Sequence, residues 1–244
     1  VPVVAALVVV PELRRLVPGR PRLRMCAEIP AVLKEGWHLF VAHTALVIHF
    51  PTTTVALGLV AGNTEVGYYS AADKVIRAVA SSTGPVAQAL YPHLSHLKER
   101  STELTLRVMR RGFAGVLLLA GAASAAIFLL PAPLGMLLWG ESFVPSIAVL
   151  RWLSPLPLLL ASANIVGAQT MLVFGMDREL TRTVVWCTVL NIPLSATFSF
   201  FWGARGAAAA LVTVAALMTL SLAWRVGRRP AIWTPGEVLA IDWG

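Results

Sequence analysis

Three charged side chains, Asp73, Lys74 and Arg77, stand close together at the head of a long apolar stretch, in the segment NTEVGYYSAADKVIRA. The preceding stretch, Gly36 to Thr64, carries no charged side chain. Ionisable groups near a membrane interior are costly, and they usually pair with one another or face a water-filled cavity. On a helix, Asp73 and Arg77 are four residues apart and form an ion pair. We therefore expect this junction to contain the functional residues.

A polar face extends from these charges if residues 63–97 form a turn followed by a helix. At 100° per residue, its members fall within an arc of roughly 80°: Asp73, Arg77, Ser81, Gly84, Gln88, Tyr91 and Ser95. A helix that enters the bilayer at Val66 or Gly67 places the charges one to two turns deep, where they line an aqueous path. If the span is Ala78 to Leu97 instead, the charges lie at its outer end and snorkel to water.

Fainter polar stripes occur in other spans. In the fourth span, Arg151, Pro155, Ser162 and Gln169 fall within roughly 40° of one another, and Asn164 is opposite and expected to pack. Four residues of the fifth span share a face that favours helix packing: Thr188, Asn191, Ser195 and Ser199. In the first span, His43 and His49 fit either ion coupling or interhelical hydrogen bonds.

Composition places the chain in a membrane. It is 57% hydrophobic and 13% charged with a mean hydropathy of +0.74, whereas soluble domains are about 25% charged. A transmembrane helix needs about 20 apolar residues, and six stretches without charged residues are long enough. We predict an all-α integral membrane protein with six spans, at about 37–62, 67–96, 113–139, 147–174, 183–202 and 206–224.

The net charge of +8 follows the loops between these spans. Arginine and lysine cluster before the first and third spans, between the fourth and fifth, and after the sixth. The other loops carry little beyond Glu65, Glu141 and Arg205. The positive-inside rule therefore predicts that both ends lie in the cytoplasm. This distribution does not favour a nucleic-acid partner.

Enzymatic and metal signatures are absent from the sequence. The two cysteines, Cys26 and Cys187, predict neither a disulfide nor a metal site. His93 and His96 have no third ligand nearby. There is no phosphate-binding glycine loop and no nucleophile elbow. We expect no catalytic residues, no cofactor and no bound metal.

The chain begins at Val1 with eleven apolar residues, too few to span a bilayer. We expect residues 1–35 to be the end of a truncated helix and a basic cytoplasmic linker. Residues 36–225 form the six-helix lobe, and residues 226–244 form a cytoplasmic tail. On this interpretation the chain is the C-terminal part of a larger protein.

The run from Leu57 to Ser95 resembles the seventh-to-eighth helix junction of the polysaccharide-biosynthesis flippases, which belong to the multidrug/oligosaccharidyl-lipid/polysaccharide exporter superfamily. The matching residues are Val66-Gly67-Tyr68-Tyr69, Ala72, Lys74 and Tyr91-Pro92. The basic segment before Trp37 and the Gly175-Met176-Asp177 turn also fit, so the resemblance covers nearly the whole chain.

This resemblance implies a bacterial or archaeal cytoplasmic-membrane exporter with two six-helix lobes, of which the N-terminal lobe is missing here. It implies a lipid-linked oligosaccharide substrate, carried on a polyprenyl diphosphate and flipped by alternating access during O-antigen or other surface polysaccharide biosynthesis. Lys74 and Arg77 then bind the diphosphate, and Tyr68, Tyr69 and Gln88 meet sugars. Asp73 weakens the anion site or couples transport to H⁺ or Na⁺. The expected cavity-lining residues are Lys74, Arg77, Tyr68, Tyr69, Ser81, Gln88, Tyr91, Arg151 and Gln169. The expected ion-coupling residues are Asp73, His43 and His49.

Four alternatives remain open on the sequence. Within the superfamily, the chain fits an ion-coupled multidrug exporter or a flippase of lipid-linked peptidoglycan precursors. Drug-cation exporters need acidic residues within the membrane, and Asp73 is the one such residue near a span. An integral membrane enzyme and a non-transporting membrane subunit are the remoter alternatives. A non-transporting subunit predicts a packed interior without a water-accessible face.

Overall fold

A computed structural model describes the backbone of residues 25–98, 102–140, 143–171 and 176–228, and the side chains of most of these. Every regular element in these ranges is helical: α1 (Met25–Ala61), α2 (Asn63–Lys98), α3 (Thr102–Leu129), α4 (Pro131–Trp139), α5 (Val144–Leu153), α6 (Leu156–Asn164), a π-helical segment (Ile165–Met171) and α7 (Asp177–Gly227). The chain divides into two compact units, residues 1–38 and 39–244. The packing below is that of the second unit.

A single glycine separates α1 from α2. Gly62 adopts a φ of 86°, a left-handed conformation in which a Cβ is strained. The α2 helix begins at Asn63 and continues without a break to Lys98. Asp73 therefore lies about 15 Å along α2, at 1.5 Å per residue. An early start of the helix favours the deeper of the two predicted positions for the charges, although their depth in the bilayer stays a prediction.

The third predicted span, 113–139, is broken in the structure. The segments Phe113–Leu129 and Pro131–Trp139 meet at an angle of 80°. The residue between them, Leu130, has a non-helical φ of −118° and ψ of 38°. Proline disfavours the helical conformation at the preceding residue, so Pro131 explains the position of the break. The short α4 helix therefore leaves the direction of α3.

The fifth and sixth predicted spans form the two halves of α7, which are joined by a reversal at Gly203. This glycine has φ 56° and ψ −136°. Leu180 and Val184 from the first half share a buried apolar cluster with Met218 and Leu222 from the second half. The two halves therefore pack as a helical hairpin. A Cβ on Gly206 would overlap the Phe198 carbonyl group, so the reversal needs this second glycine too.

The main core joins α2, α5 and the second half of α7. Ile76 of α2, Leu150 of α5 and Leu211 of α7 are each fully buried in it. Three small residues of α7, Ala204, Ala207 and Ala208, are buried in the same cluster. Small residues let helix backbones approach closely in membrane proteins, which explains why an alanine-rich segment lies at the centre of this fold.

Three of the predicted outer loops meet at one end of the helical bundle. Glu65, at the start of α2, accepts a hydrogen bond from the backbone N–H of Ala204 through Oε2, at 2.7 Å. The rings of Tyr68 and Phe143 lie edge to face with centroids 6.0 Å apart. The α1–α2 turn, the segment before α5 and the Gly203 reversal are thus on the same side, as the charge pattern predicts. Which compartment that side faces stays a prediction.

Many large apolar side chains point outward, as expected of a protein surrounded by lipid. Leu59 is 83% exposed, Leu137 83% and Phe200 73%. Among the described residues, three helices are long and apolar enough to cross a membrane, or four if the bent α3–α4 pair is counted as one span. One of the three is the whole of α7, which includes two predicted spans. The chain is a multi-pass, all-α membrane protein. The count of six spans and the two-lobe architecture remain predictions.

Candidate functional site

The predicted ion pair between Asp73 and Arg77 is confirmed. The Nε of Arg77 donates a hydrogen bond to Oδ2 of Asp73 at 2.6 Å. The Arg77 side chain is 43% exposed, whereas that of Asp73 is only 11% exposed. A buried carboxylate is costly unless it is paired. The more exposed cation therefore compensates a more deeply placed anion.

An aromatic ring of α1 also holds the Arg77 guanidinium. Its Cζ lies 4.5 Å from the centroid of the Phe50 ring, within the range of a cation–π contact. Phe50 in turn packs edge to face on His49, with centroids 5.4 Å apart. Arg77 is thus bound to its own helix through Asp73 and to α1 through Phe50. Nearly half of its surface is left available for a ligand.

The rest of the polar face is described as far as Ser81. Lys74 and Ser81 are exposed, and the Ser81 hydroxyl donates to the Ala78 carbonyl oxygen at 2.8 Å. Gln88 and Tyr91 lie farther along α2, where the side chains are outside the described residues. In the first two turns of the predicted polar face, Arg77 and Ser81 are therefore exposed on the surface of this chain, whereas Asp73 is buried.

The two tyrosines that precede the charges have different environments. Tyr68 is half-buried beside Phe143, but Tyr69 is fully buried in the main core. The structure therefore places Tyr69 against α5 and α7, and not on an open surface as expected, because the core face of α2 passes through this residue. The Tyr69 hydroxyl and Oδ1 of Asp73 are both buried without a hydrogen-bond partner among the described residues.

The predicted stripe on the fourth span is divided between helices. Arg151 of α5 is exposed, and its Cζ lies 4.8 Å from the Phe128 ring centroid on α3. Ser162 of α6 donates to the Leu158 carbonyl oxygen at 2.7 Å. The Gln169 side chain is outside the described residues. Asn164 is exposed, so the expectation that it packs within this chain is wrong.

The polar face of the fifth span packs against another helix, as predicted, and that helix is α1. Thr188 donates to the Ala45 carbonyl oxygen at 3.3 Å. Asn191 Nδ2 donates to the His49 carbonyl oxygen at 3.1 Å and to the Thr53 hydroxyl oxygen at 2.8 Å. These bonds confirm that this face joins helices. His49 is only 3% exposed, and its backbone carbonyl takes part in the packing.

Of the two histidines expected to couple ions, His43 is exposed and His49 is buried. The Nδ1 of the buried His49 has no hydrogen-bond partner among the described residues. A histidine that couples ion movement needs access to water. His43 is exposed on this chain and His49 is buried, and ion coupling by either residue stays a proposal.

Sequence reasoning missed the role of Glu65. Its carboxylate caps the backbone N–H of Ala204, directly after the Gly203 reversal, where the second half of α7 begins. Helix N-termini favour negative charge, and this one receives it from another helix. The sequence offered one signal for this contact, because Glu65 and Arg205 both lie in predicted outer loops. To predict the hydrogen bond between Glu65 and Ala204, one must also know which of these loops are adjacent.

Within the ranges that the structure describes, no group of three or more histidine, cysteine or acidic side chains is arranged to hold a metal ion. Cys187 is buried and free. In the charged segment of α2, Lys74, Arg77 and Ser81 are exposed, and the buried Asp73 carboxylate is already engaged by Arg77. This arrangement suits the binding of an anion.

Comparison with known proteins agrees with the sequence resemblance. The polysaccharide biosynthesis protein family matches residues 3–98, which include Asp73, Lys74 and Arg77. A protein of Escherichia coli strain K12 named "Putative O-antigen transporter" is 26% identical over 187 residues, covering 77% of this chain and 45% of that protein. A Shigella dysenteriae protein of the same name is 25% identical over 190 residues, covering 77% and 47%.

The chain thus spans about half the length of the curated relatives it matches. No solved structure matches it significantly. The matched residues include α1, α2 and the Asp73–Arg77 pair, and the two relatives extend the similarity across most of the remaining helices. The chain is therefore similar to the polysaccharide biosynthesis protein family over residues 3–98, and to two proteins named as putative O-antigen transporters over 77% of its length.

Proposed function

We propose that the full-length protein is a flippase of the cytoplasmic membrane. It moves a polyprenyl-diphosphate-linked oligosaccharide to the outer leaflet by alternating access, for the synthesis of a surface polysaccharide. Two observations support the proposal: residues 3–98 match the polysaccharide biosynthesis protein family, and two relatives are named as putative O-antigen transporters. These names indicate a transporter rather than an enzyme.

The observation that carries the proposal for this chain is the setting of Arg77. Its guanidinium is held by Asp73 and Phe50 and remains 43% exposed. Arginine presents several donors in a planar fork that matches phosphate oxygens. Lys74 lies on the same helix and is exposed. Two neighbouring cations suit the two phosphates of a diphosphate.

The remaining predicted residues extend this proposed path. Tyr68 and Ser81 lie on either side of the charges along α2, and Gln88 and Tyr91 follow on the same helix. We assign these four to the sugar portion of the substrate, and Arg151 and Gln169 to a more distant wall. The facing wall belongs to a proposed N-terminal lobe.

The charge pair also bears on the multidrug alternative. A site for a drug cation needs a carboxylate that is free to bind it, whereas Asp73 is already bonded to Arg77. An anionic substrate is thus favoured over a cationic one. Coupling to H⁺ or Na⁺ at Asp73 fits the same arrangement, because a proton or cation that neutralises the carboxylate would release Arg77 to the substrate.

The test uses the full-length gene in a flippase-deficient strain, with surface polysaccharide and protein abundance measured together. The Arg77→Gln variant removes the cation, but it also leaves the buried Asp73 carboxylate unpaired, which destabilises the fold. The double variant Asp73→Asn/Arg77→Gln removes both charges; Asn has the size of Asp, and Gln keeps a shorter polar side chain in place of Arg. The matched control is Arg228→Gln, because Arg228 also lies on an aromatic ring, with its Cζ 3.7 Å from the Trp224 ring centroid.

One lost charge-assisted hydrogen bond lowers binding by about tenfold or more. We therefore expect the double variant to reach normal abundance with polysaccharide export reduced about tenfold or more. The Arg228→Gln protein should export normally. Normal export by the double variant at matched abundance would refute the role of Arg77. Equal loss in the control would show that surface charge, and not this site, matters.

A further inference from the structure

A groove lies beside the Gly203 reversal, between α5 and the two halves of α7. Its volume is about 510 Å³, within the range of small-molecule sites. It is lined by Trp152, Phe198, Trp202, Arg205, Ala209 and Thr213. None of these residues belongs to the polar face of α2. The groove is therefore distinct from the proposed substrate path.

One positively charged side chain, that of Arg205, lines this groove. Arg205 is exposed, and no carboxylate is recorded within ion-pair distance of it in the described part of the chain. The nearby Glu65 is bonded to the backbone N–H of Ala204. The Thr213 hydroxyl, which also lines the groove, donates to the Ala209 carbonyl oxygen at 2.8 Å. The guanidinium of Arg205 thus has donors to offer an anion.

The walls beside Arg205 are aromatic. Trp152 is 54% exposed and Trp202 is 62% exposed, and Phe198 supports Trp202 edge to face with centroids 5.5 Å apart. Tryptophan is enriched at the level of lipid headgroups, where its ring contacts acyl carbons and its N–H meets water. Phe200 and Phe201 continue the aromatic surface outward. The Gly203 reversal of α7 therefore has the composition of a membrane interface.

We propose that the groove is a binding site for one anionic phospholipid. The lipid phosphate binds the guanidinium of Arg205, and the glycerol and first acyl carbons lie against Trp152 and Trp202. The exposed cation without a recorded ion pair in the described residues favours a negative headgroup, and the exposed tryptophans favour an adjoining apolar chain. A lipid supplies both, whereas a free phosphate ion supplies only the charge. This site depends on membrane embedding and not on the transported substrate.

The experiment is native mass spectrometry of the detergent-purified full-length protein during titration with phosphatidylglycerol or phosphatidylcholine. We expect the first phosphatidylglycerol to bind more tightly than phosphatidylcholine. A lipid-facing basic residue contributes about a fivefold preference for an anionic headgroup. The Arg205→Gln variant should lose about that much, and Arg205→Lys should keep most of it. Trp202→Leu should weaken both lipids.

The control is Arg228→Gln, which removes a cation stacked on tryptophan outside the groove and should preserve the preference. Equal affinity of the wild-type protein for both lipids would overturn the proposal. So would an equal loss in the Arg205→Gln and Arg228→Gln proteins, since total charge would then explain the binding. Displacement of the lipid by millimolar inorganic phosphate would identify a simple anion site instead. Thermal unfolding midpoints establish that each variant is folded.

Discussion

The hydrogen-bonded contact between α1 and the first half of α7 makes a quantitative prediction. Thr53, Asn191 and Ser195 are each fully buried. The Ser195 hydroxyl oxygen lies 3.2 Å from Oδ1 of Asn191 and 3.3 Å from the Thr53 hydroxyl oxygen. Thr53 also accepts the 2.8 Å bond from Asn191. Each hydroxyl therefore takes part in two contacts of one cluster.

We expect Thr53→Val and Ser195→Ala to destabilise the protein, because each leaves a polar atom of Asn191 with fewer partners. Interhelical hydrogen bonds in membrane proteins average about 0.6 kcal/mol and reach about 1.7 kcal/mol. Thr53→Val changes shape very little, so its cost should fall in this range and reflect mainly the lost bonds. Ser195→Ala should cost a similar amount.

Ser199 provides a matched control on the same helical face, one turn away. It is buried, but its hydroxyl has no hydrogen-bond partner among the described residues. The Ser199→Ala substitution removes the same atom from the same kind of environment without breaking a recorded bond. Its effect on stability should therefore be near zero or slightly stabilising.

The assay is reversible unfolding of the full-length protein in mixed micelles of mild detergent and dodecyl sulfate, measured for the single variants and for Thr53→Val/Ser195→Ala. Because the two hydroxyls share contacts, the double variant should cost less than the sum of the singles. Strict additivity would show that Thr53 and Ser195 act independently. If Ser195→Ala were no more harmful than Ser199→Ala, the reasoning would be refuted.

Two further predictions concern the start of α2, at Glu65, and the exposed side of α2, at Ser81. Glu65→Gln should destabilise the protein by about 1 kcal/mol, because a neutral acceptor binds the Ala204 N–H more weakly than a carboxylate does. Thermal unfolding measures this loss. Unchanged unfolding midpoints in both Glu65→Gln and Glu65→Ala would exclude a stabilising bond between Glu65 and the Ala204 N–H. A cysteine at the exposed Ser81 should react with a water-soluble maleimide in membranes, whereas one at the fully buried Ser146 should not. Failure of Ser81→Cys to react from either side would favour a non-transporting subunit with a packed interior.

Much of the fold was predictable because membrane helices follow simple rules. Long stretches without charge predicted the helices, and the distribution of arginine and lysine predicted that the Glu65 and Arg205 loops lie at the same end. The polar face of Thr188, Asn191 and Ser195 predicted interhelical packing, and α1 supplies the partners. In each case the relevant signal is local or periodic.

The sequence was less informative where a result depends on which helices are neighbours. The break at Leu130 follows from Pro131, but the 80° angle depends on how α4 packs. The pairing of Glu65 with Ala204 joins positions 139 residues apart, and no periodicity links them. The burial of Tyr69 likewise depends on α5 and α7 covering one side of α2.

That covered side explains why Asp73 and Arg77 act as a pair. Measured around α2 from Tyr69 at 100° per residue, Ala72 and Ile76 lie within about 60° of it on the buried side, and all three are fully buried. Asp73 falls at about 40°, on the border of that core, whereas Arg77 falls at about 80° and Lys74 at about 140°. The carboxylate is therefore placed in the less polar environment and the cations in the more open one. Arg77 compensates Asp73 from the outside, and any ligand that drew Arg77 away would leave this buried carboxylate without its recorded ion-pair partner, which is costly.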